Sequence, residues 1–190
     1  MDIRYRRDTS GALIADVRDG RLDIAFASLP PQPLAGLRTI KVNTAPIMLC
    51  CRADHRLAAR RKVTVHELAN ERFIGAPPGA VGVELVDRVF AAAGTQRAVT
   101  YEVNDVATSL EFVEQGLGVT LMLEALAIGR TDLRTIPIAD KSLVWTLAII
   151  TPPEENTTPA AQELINLMPQ SRRSVPAQTY EHQPPATPRS

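Results

Sequence analysis

The chain has 190 residues, 45% hydrophobic and 22% charged, with 21 basic side chains against 21 acidic ones. That composition suits one globular domain or two small lobes, and a net charge of zero argues against gripping DNA or an acidic membrane, which rests on neutralised phosphates. No apolar run approaches the roughly 18 residues of a membrane span, and Met-Asp-Ile-Arg-Tyr-Arg-Arg-Asp at the amino terminus lacks the apolar region of a leader, so a cytoplasmic protein is expected.

In chain order, Ile3–Arg7 alternates and reads as a short strand. Asp8, Thr9 and Ser10 are good helix caps, Leu13, Ile14 and Val17 form an apolar stripe, and Gly20 stops the helix. Leu22, Ile24 and Phe26, with Ala25 and Ala27 between them, read as a strand apolar on both faces, as a central parallel strand would be. Residues 3–27 are therefore expected to form a β-α-β unit with a right-handed crossover. Pro30, Pro31 and Pro33 break the pattern, and Gly36–Ile40 leads away to a second apolar strand, Pro46–Cys51.

Cys50 and Cys51, the only cysteines, are adjacent in that strand. Neighbouring strand residues point to opposite faces, so the pair is poorly placed to bridge or to share a metal. Reduced core thiols are expected. Asp54–Ala58 turns away, and Thr64-Val65-His66-Glu67 is a capping box that opens a short helix ending near Asn70.

Arg72–Ala76 reads as a strand. The loop Pro77-Pro78-Gly79-Ala80-Val81-Gly82 feeds a helix carrying Leu85, Val86, Val89, Phe90 and Ala93 on one side and closed by Gly94. Val99, Tyr101 and Val103 alternate as another strand. Asn104 or Asp105 caps the helix that follows, whose stripe is Val106, Leu110, Val113 and Leu117. Gly116 and Gly118 are expected to end it in left-handed conformations, before a buried strand at Val119–Leu123. Leu133–Ile138 and Leu143–Ile150 are strand-like. Thr158 and Pro159 then open a last helix, Ala160–Met168, with Leu164, Ile165, Leu167 and Met168 apolar. Residues 169–190 are polar, hold five prolines and read as a disordered tail.

His55, His66 and His182 lie far apart without ligand spacing, so neither a metal nor a cofactor is expected. There is no nucleophile elbow and no phosphate loop. Carboxylates are scattered, and nothing in the sequence points to catalysis. What stands out are three helix starts at the ends of strands: Asp8–Ser10, Pro77–Gly82 and Asn104–Asp105. Exposed N–H groups and the helix dipole make such ends receptors for a carboxylate or other anion, and open α/β sheets bind ligands there. Asp8 would repel an anion, which leaves Thr9 and Ser10 as candidates at the first start. The alternative at each position is a side chain that merely caps its helix.

Leu13–Phe26 (LIADVRDGRLDIAF), Asp54–Ala58 (DHRLA), Val63–Ile74 (VTVHELANERFI), Tyr101–Val119 (YEVNDVATSLEFVEQGLGV) and Pro159–Leu167 form an ordered set. That set resembles the effector-binding domain of LysR-type transcriptional regulators. The resemblance implies an α/β, two-lobed type 2 periplasmic-binding-protein fold with two crossover strands, its first strand and helix missing here. Lobe one would be residues 1–40 and 139–168, and lobe two 41–138.

By the same resemblance, Thr9 and Ser10 supply the first lobe's contacts to an effector. Gly79, Ala80 and Val81 form the second lobe's anion loop, and Asn104 lies near the crossover. The implied partner is a small anionic metabolite, a carboxylate, bound without turnover. DNA contact would belong to an amino-terminal winged helix-turn-helix that this truncated chain lacks. Homo-oligomers through the helix Ala107–Gln115 would be weakened by the missing first helix. Leu123 departs from the proline often found there in the family. A stand-alone solute-binding protein of the same fold is the alternative, which a leader would favour; an enzyme would need acid and base groups at the cleft.

Overall fold

Ile47 to Cys51 is the innermost stretch of the protein, with Leu49, Cys50 and Cys51 fully buried. It is the second half of one long strand, β2 (Arg38–Arg52), and it is apolar on both faces because a core lies on each. Ile47, Leu49 and Cys51 face one cluster with Val86, Val89 and Phe90. Cys50 faces another with Leu110 and Val113. The computed structural model describes residues 3–30, 32–78 and 80–167.

The other elements are α1 (Ser10–Arg18), β1 (Ala25–Ser28), α2 (Val65–Leu68), β3 (Arg72–Gly75), α3 (Val81–Ala92), β4 (Ala98–Glu102), α4 (Val106–Glu114), β5 (Thr120–Leu123), β6 (Leu133–Pro137), β7 (Val144–Thr151) and α5 (Pro159–Leu167). The first half of β2 pairs antiparallel with β7 as far as Pro46 opposite Val144. From Ile47 onward it pairs with β5 on one side and β6 on the other. Proline tolerates this exchange point because its missing N–H costs a ladder bond that the change of partner interrupts anyway.

Beyond β5, Val119 bridges Phe73 in parallel, and β3 pairs in parallel with β4. The larger assembly thus runs β4, β3, β5, β2, β6, with α3 and α4 on opposite faces. Edge-to-face aromatic pairs fix those helices: Phe73 on Phe90 at 5.8 Å and Tyr101 on Phe112 at 5.5 Å, each worth about 0.5–1.5 kcal/mol beyond burial. At the other end β1 and β7 carry α1 through Ile14, Val17, Ala25, Ala27, Ala148 and Ile150.

Several expectations need correction. Ile3–Arg7 is not a strand, and Ile3 and Tyr5 are 65% and 87% exposed. The arm is held by charge: Asp16, buried on α1, accepts from Arg6 and, at 2.7 Å, from Arg21 Nε. The β-α-β unit over 3–27 is therefore absent. Its second strand, β1, is an edge strand antiparallel to β7, with Ala25 and Ala27 inward and Phe26 40% exposed. Apolar residues on both faces did not require cover on both faces.

The separate strand expected at Pro46–Cys51 is continuous with residues 38–45 across a bulge between Lys41 and Asn43. Gly116 is left-handed at φ 72°, but Gly118 is not. A Cβ there would stand 2.4 Å from the Arg72 carbonyl oxygen, so Gly118 permits β3 and β5 to approach. In α5 the buried residue is Ala161, and Leu167 is exposed. Met168 and the tail 169–190 lie outside the described residues.

Candidate functional site

The carboxyl ends of β3 and β4, the starts of α3 and α4, and the end of β5 converge on one cavity of about 430 Å³. Chain direction dictates this. β3 and β4 run parallel, each is followed by a helix, and both helices therefore begin at the same edge. Ile47, Ile74, Val86, Val103 and Leu121 give the cavity apolar walls. Trp145, from β7, closes it on the side where β2 changes partners.

The two helix starts differ. At α4 the Asp105 carboxylate accepts the Thr108 N–H at 2.8 Å, so this start already carries its own anion. The Thr108 backbone N–H, with its side chain, holds the Asp105 carboxyl below its ordinary value. Ser109 Oγ donates to the Asp105 carbonyl at 2.9 Å. At α3 the cap is Ala80, which has no side chain to offer its helix. That amino-terminal end is uncapped and lies on the cavity.

Of the residues singled out from the sequence, Ala80 and Asn104 line the cavity. Gly79 lies outside the described residues, and Val81 is the first residue of α3. Thr9 and Ser10 do not line it. Thr9 Oγ1 caps α1 by accepting the Ala12 N–H at 3.3 Å. Ser10 Oγ accepts the Ser28 N–H at 3.0 Å, and Ser28 Oγ accepts the Trp145 indole N–H at 2.6 Å. The start of α1 is thus two hydrogen bonds behind the Trp145 wall. Asp105, not Asn104, is the cap of α4.

Sequence reasoning missed Arg97 and Trp145. Arg97 lies on the cavity with its side chain only 8% exposed, and its Nε donates to Asp87 Oδ1 at 2.8 Å. Trp145 is the sole tryptophan of the chain, which is the one signal that pointed to it. Among the described residues no group of three or more His, Cys, Asp or Glu could hold a metal ion, and no helix is long and apolar enough to cross a membrane.

A hollow of about 500 Å³ elsewhere is lined by Arg52, Asp54, His55, Arg56, Glu71 and Arg72, among others. Its charges largely satisfy one another: Arg52 pairs with Asp54 at 2.5 Å, and Glu71 meets Arg56 and, at 3.3 Å, His55. The apolar cavity is the better candidate site.

Comparison with known proteins agrees with this architecture. The Synechocystis PCC6803 CcmR regulatory domain in complex with 2-PG matches with a TM-score of 0.74 at 16% identity, over 84% of this chain and 78% of that one. The BenM effector binding domain with its effector benzoate matches with a TM-score of 0.71 at 19% identity, over 93% and 82%. The fold is thus the α/β, two-lobed type 2 periplasmic-binding-protein-like fold.

Among curated sequences, the uncharacterized HTH-type transcriptional regulator YybE of Bacillus subtilis is 26% identical over 140 residues, 73% of this chain and 47% of that protein. The chain spans about half the length of the curated relatives it matches. The model of the LysR substrate binding domain matches residues 1–173. With sheet order, cavity and sequence in accord, the chain belongs to the LysR substrate binding domain family, a family of transcriptional regulators.

Proposed function

We propose that this domain senses a small carboxylate in the cavity between α3, α4 and Trp145, and that occupancy biases the two lobes toward closure without chemical turnover. A ligand that touches both lobes contacts the closed state more fully, and that difference is the only source from which it can shift the equilibrium. Lobe one is read as residues 1–40 with 139–168, and lobe two as 41–138. The observation that carries this reading is the cavity itself, apolar-walled and bordered by the uncapped start of α3.

In this reading Gly79, Ala80 and Val81 offer backbone N–H groups, and Asn104 offers its amide. Thr9 and Ser10 meet the effector from the first lobe on closure, since each hydroxyl accepts a backbone N–H and still has an O–H to donate. Asp105 is better assigned to capping α4 than to the ligand. DNA contact through a winged helix of a full-length regulator, and assembly through the exposed side of α4, complete the proposal.

Calorimetry with a panel of aromatic and aliphatic acids tests it. Heat should saturate for at least one acid, shrink for Ala80→Phe, which fills the cavity, and shrink less for Thr9→Ala. No heat across the panel, or undiminished heat from Ala80→Phe, would refute the site.

A further inference from the structure

We propose that Arg97 is the group that reads the effector's charge, and that the effector is accordingly a monocarboxylate with an apolar body packed toward Trp145. This rests on the cavity being the effector site and adds the chemistry of its occupant.

Arg97 is the only basic side chain among the described residues of the lining, and burial makes it unusual, because a guanidinium loses its water there unless something replaces it. Its one ionic partner among the described residues, Asp87, is 55% exposed and takes only Nε. The two terminal nitrogens make no hydrogen bond to any described residue. They form the planar edge that a carboxylate meets with two parallel bonds.

Gly75 makes this placement possible. A Cβ on Gly75 would lie 3.1 Å from Arg97 Nη1 and 3.3 Å from Val99 Cγ1, so the guanidinium rests over the bare backbone at the end of β3. Asp105, whose carboxylate already occupies the start of α4, is on the same lining. An anion is drawn to Arg97 and repelled by Asp105. A second negative group on the same ligand would meet no second cation among the described lining residues.

The body of the ligand follows from the remaining wall. Ser109 donates to the Asp105 carbonyl and Asp105 accepts from Thr108, which leaves Asn104 and Thr120 as the uncharged polar side chains on a lining otherwise dominated by Ile47, Ile74, Val86, Val103 and Leu121. Trp145 is held by its Ser28 bond and contributes a fixed apolar surface.

The test uses benzoate and its neutral isostere benzamide as probes, with Trp145 emission as the readout. Benzoate should give a saturable change and bind at least tenfold more tightly than benzamide. Arg97→Gln should weaken benzoate by roughly 10- to 100-fold, as expected for losing charge-assisted hydrogen bonds, and leave benzamide nearly unchanged. Arg97→Lys should recover part of the loss, and Asp87→Asn should not weaken benzoate. Equal binding of benzoate and benzamide by the unaltered protein overturns the assignment without any variant. Full benzoate affinity in a folded Arg97→Gln protein overturns Arg97 while leaving the cavity as the site. If neither probe nor any acid of the panel moves Trp145 emission, the cavity reading falls, and this one falls with it.

Discussion

Replacing Gly118 with alanine drives a methyl into the backbone of β3. The new Cβ would stand 2.4 Å from the Arg72 carbonyl oxygen and 3.2 Å from its carbon. Backbone cannot swing aside as a long side chain does, so β3 and β5 must part by roughly 0.6–1 Å. Two hydrogen bonds cross that seam, Val119 N–H to Arg72 at 2.9 Å and Ile74 N–H to Val119 at 2.8 Å. Weakening both costs about 1 kcal/mol each, and overpacking adds about 1–3 kcal/mol.

The total is about 3–5 kcal/mol. With a urea m-value of about 2–3 kcal/mol/M, the unfolding midpoint should fall by about 1–2.5 M. Gly116→Ala is the control: at φ 72° it bears the left-handed penalty of about 1–2 kcal/mol, yet its nearest neighbour is the movable Arg52 side chain at 3.4 Å. Gly118→Ala should therefore be the worse of the two, although only Gly116 has the unusual dihedral. An equal or reversed order would refute the close-approach argument.

Phe73→Ala should cost about 3–5 kcal/mol by urea melt, because Phe73 is fully buried and loses its edge-to-face partner Phe90. Burial pushes the Cys50 and Cys51 thiols up to about 12 and about 11; a thiol reagent at pH 8 should label neither in the folded chain and both in urea. Asp8, Asp54 and Asp105 have carboxyls held below their ordinary value, by Arg6, Arg52 and the Thr108 N–H respectively. A depressed folded pKa means stability present above the unfolded value and lost as pH falls through the folded one. The urea midpoint should thus lose nothing from these groups between pH 7 and 5 and should decline below about pH 4.

What the sequence made legible was what depends on neighbours along the chain. The Thr64–Glu67 capping box forms as expected, with Thr64 N–H on Glu67 at 2.8 Å and Glu67 N–H on Thr64 at 3.3 Å. The helix stripe Leu110 and Val113 is buried, while Val106, one turn earlier, lines the cavity instead. The opposed faces of Cys50 and Cys51 were readable from strand alternation alone.

Pairing between distant segments was not legible. Nothing local distinguishes a strand from the arm at Ile3–Arg7, whose Arg6 is drawn to Asp16. Strand partners at β1 depend on β7, more than a hundred residues away. The site was half readable for the same reason. Helix starts at Ala80 and Asp105 announce themselves by loop chemistry, whereas Arg97 and Trp145 reach the cavity only because β3, β4 and β7 are brought together. That Ser10 accepts the Ser28 N–H was likewise not legible, because the two residues meet only through the packing of α1 on β1.

The central claim is that an acid sits where α3 and α4 begin. Amide chemical-shift mapping of the nitrogen-15-labelled chain, titrated with the tightest acid from calorimetry, tests it directly. The largest shifts should fall on Ala80, Gly82, Asn104 and Asp105, with the Trp145 indole N–H moving alongside. Shifts gathered instead around Arg52, His55 and Glu71, or spread without a focus, would contradict it.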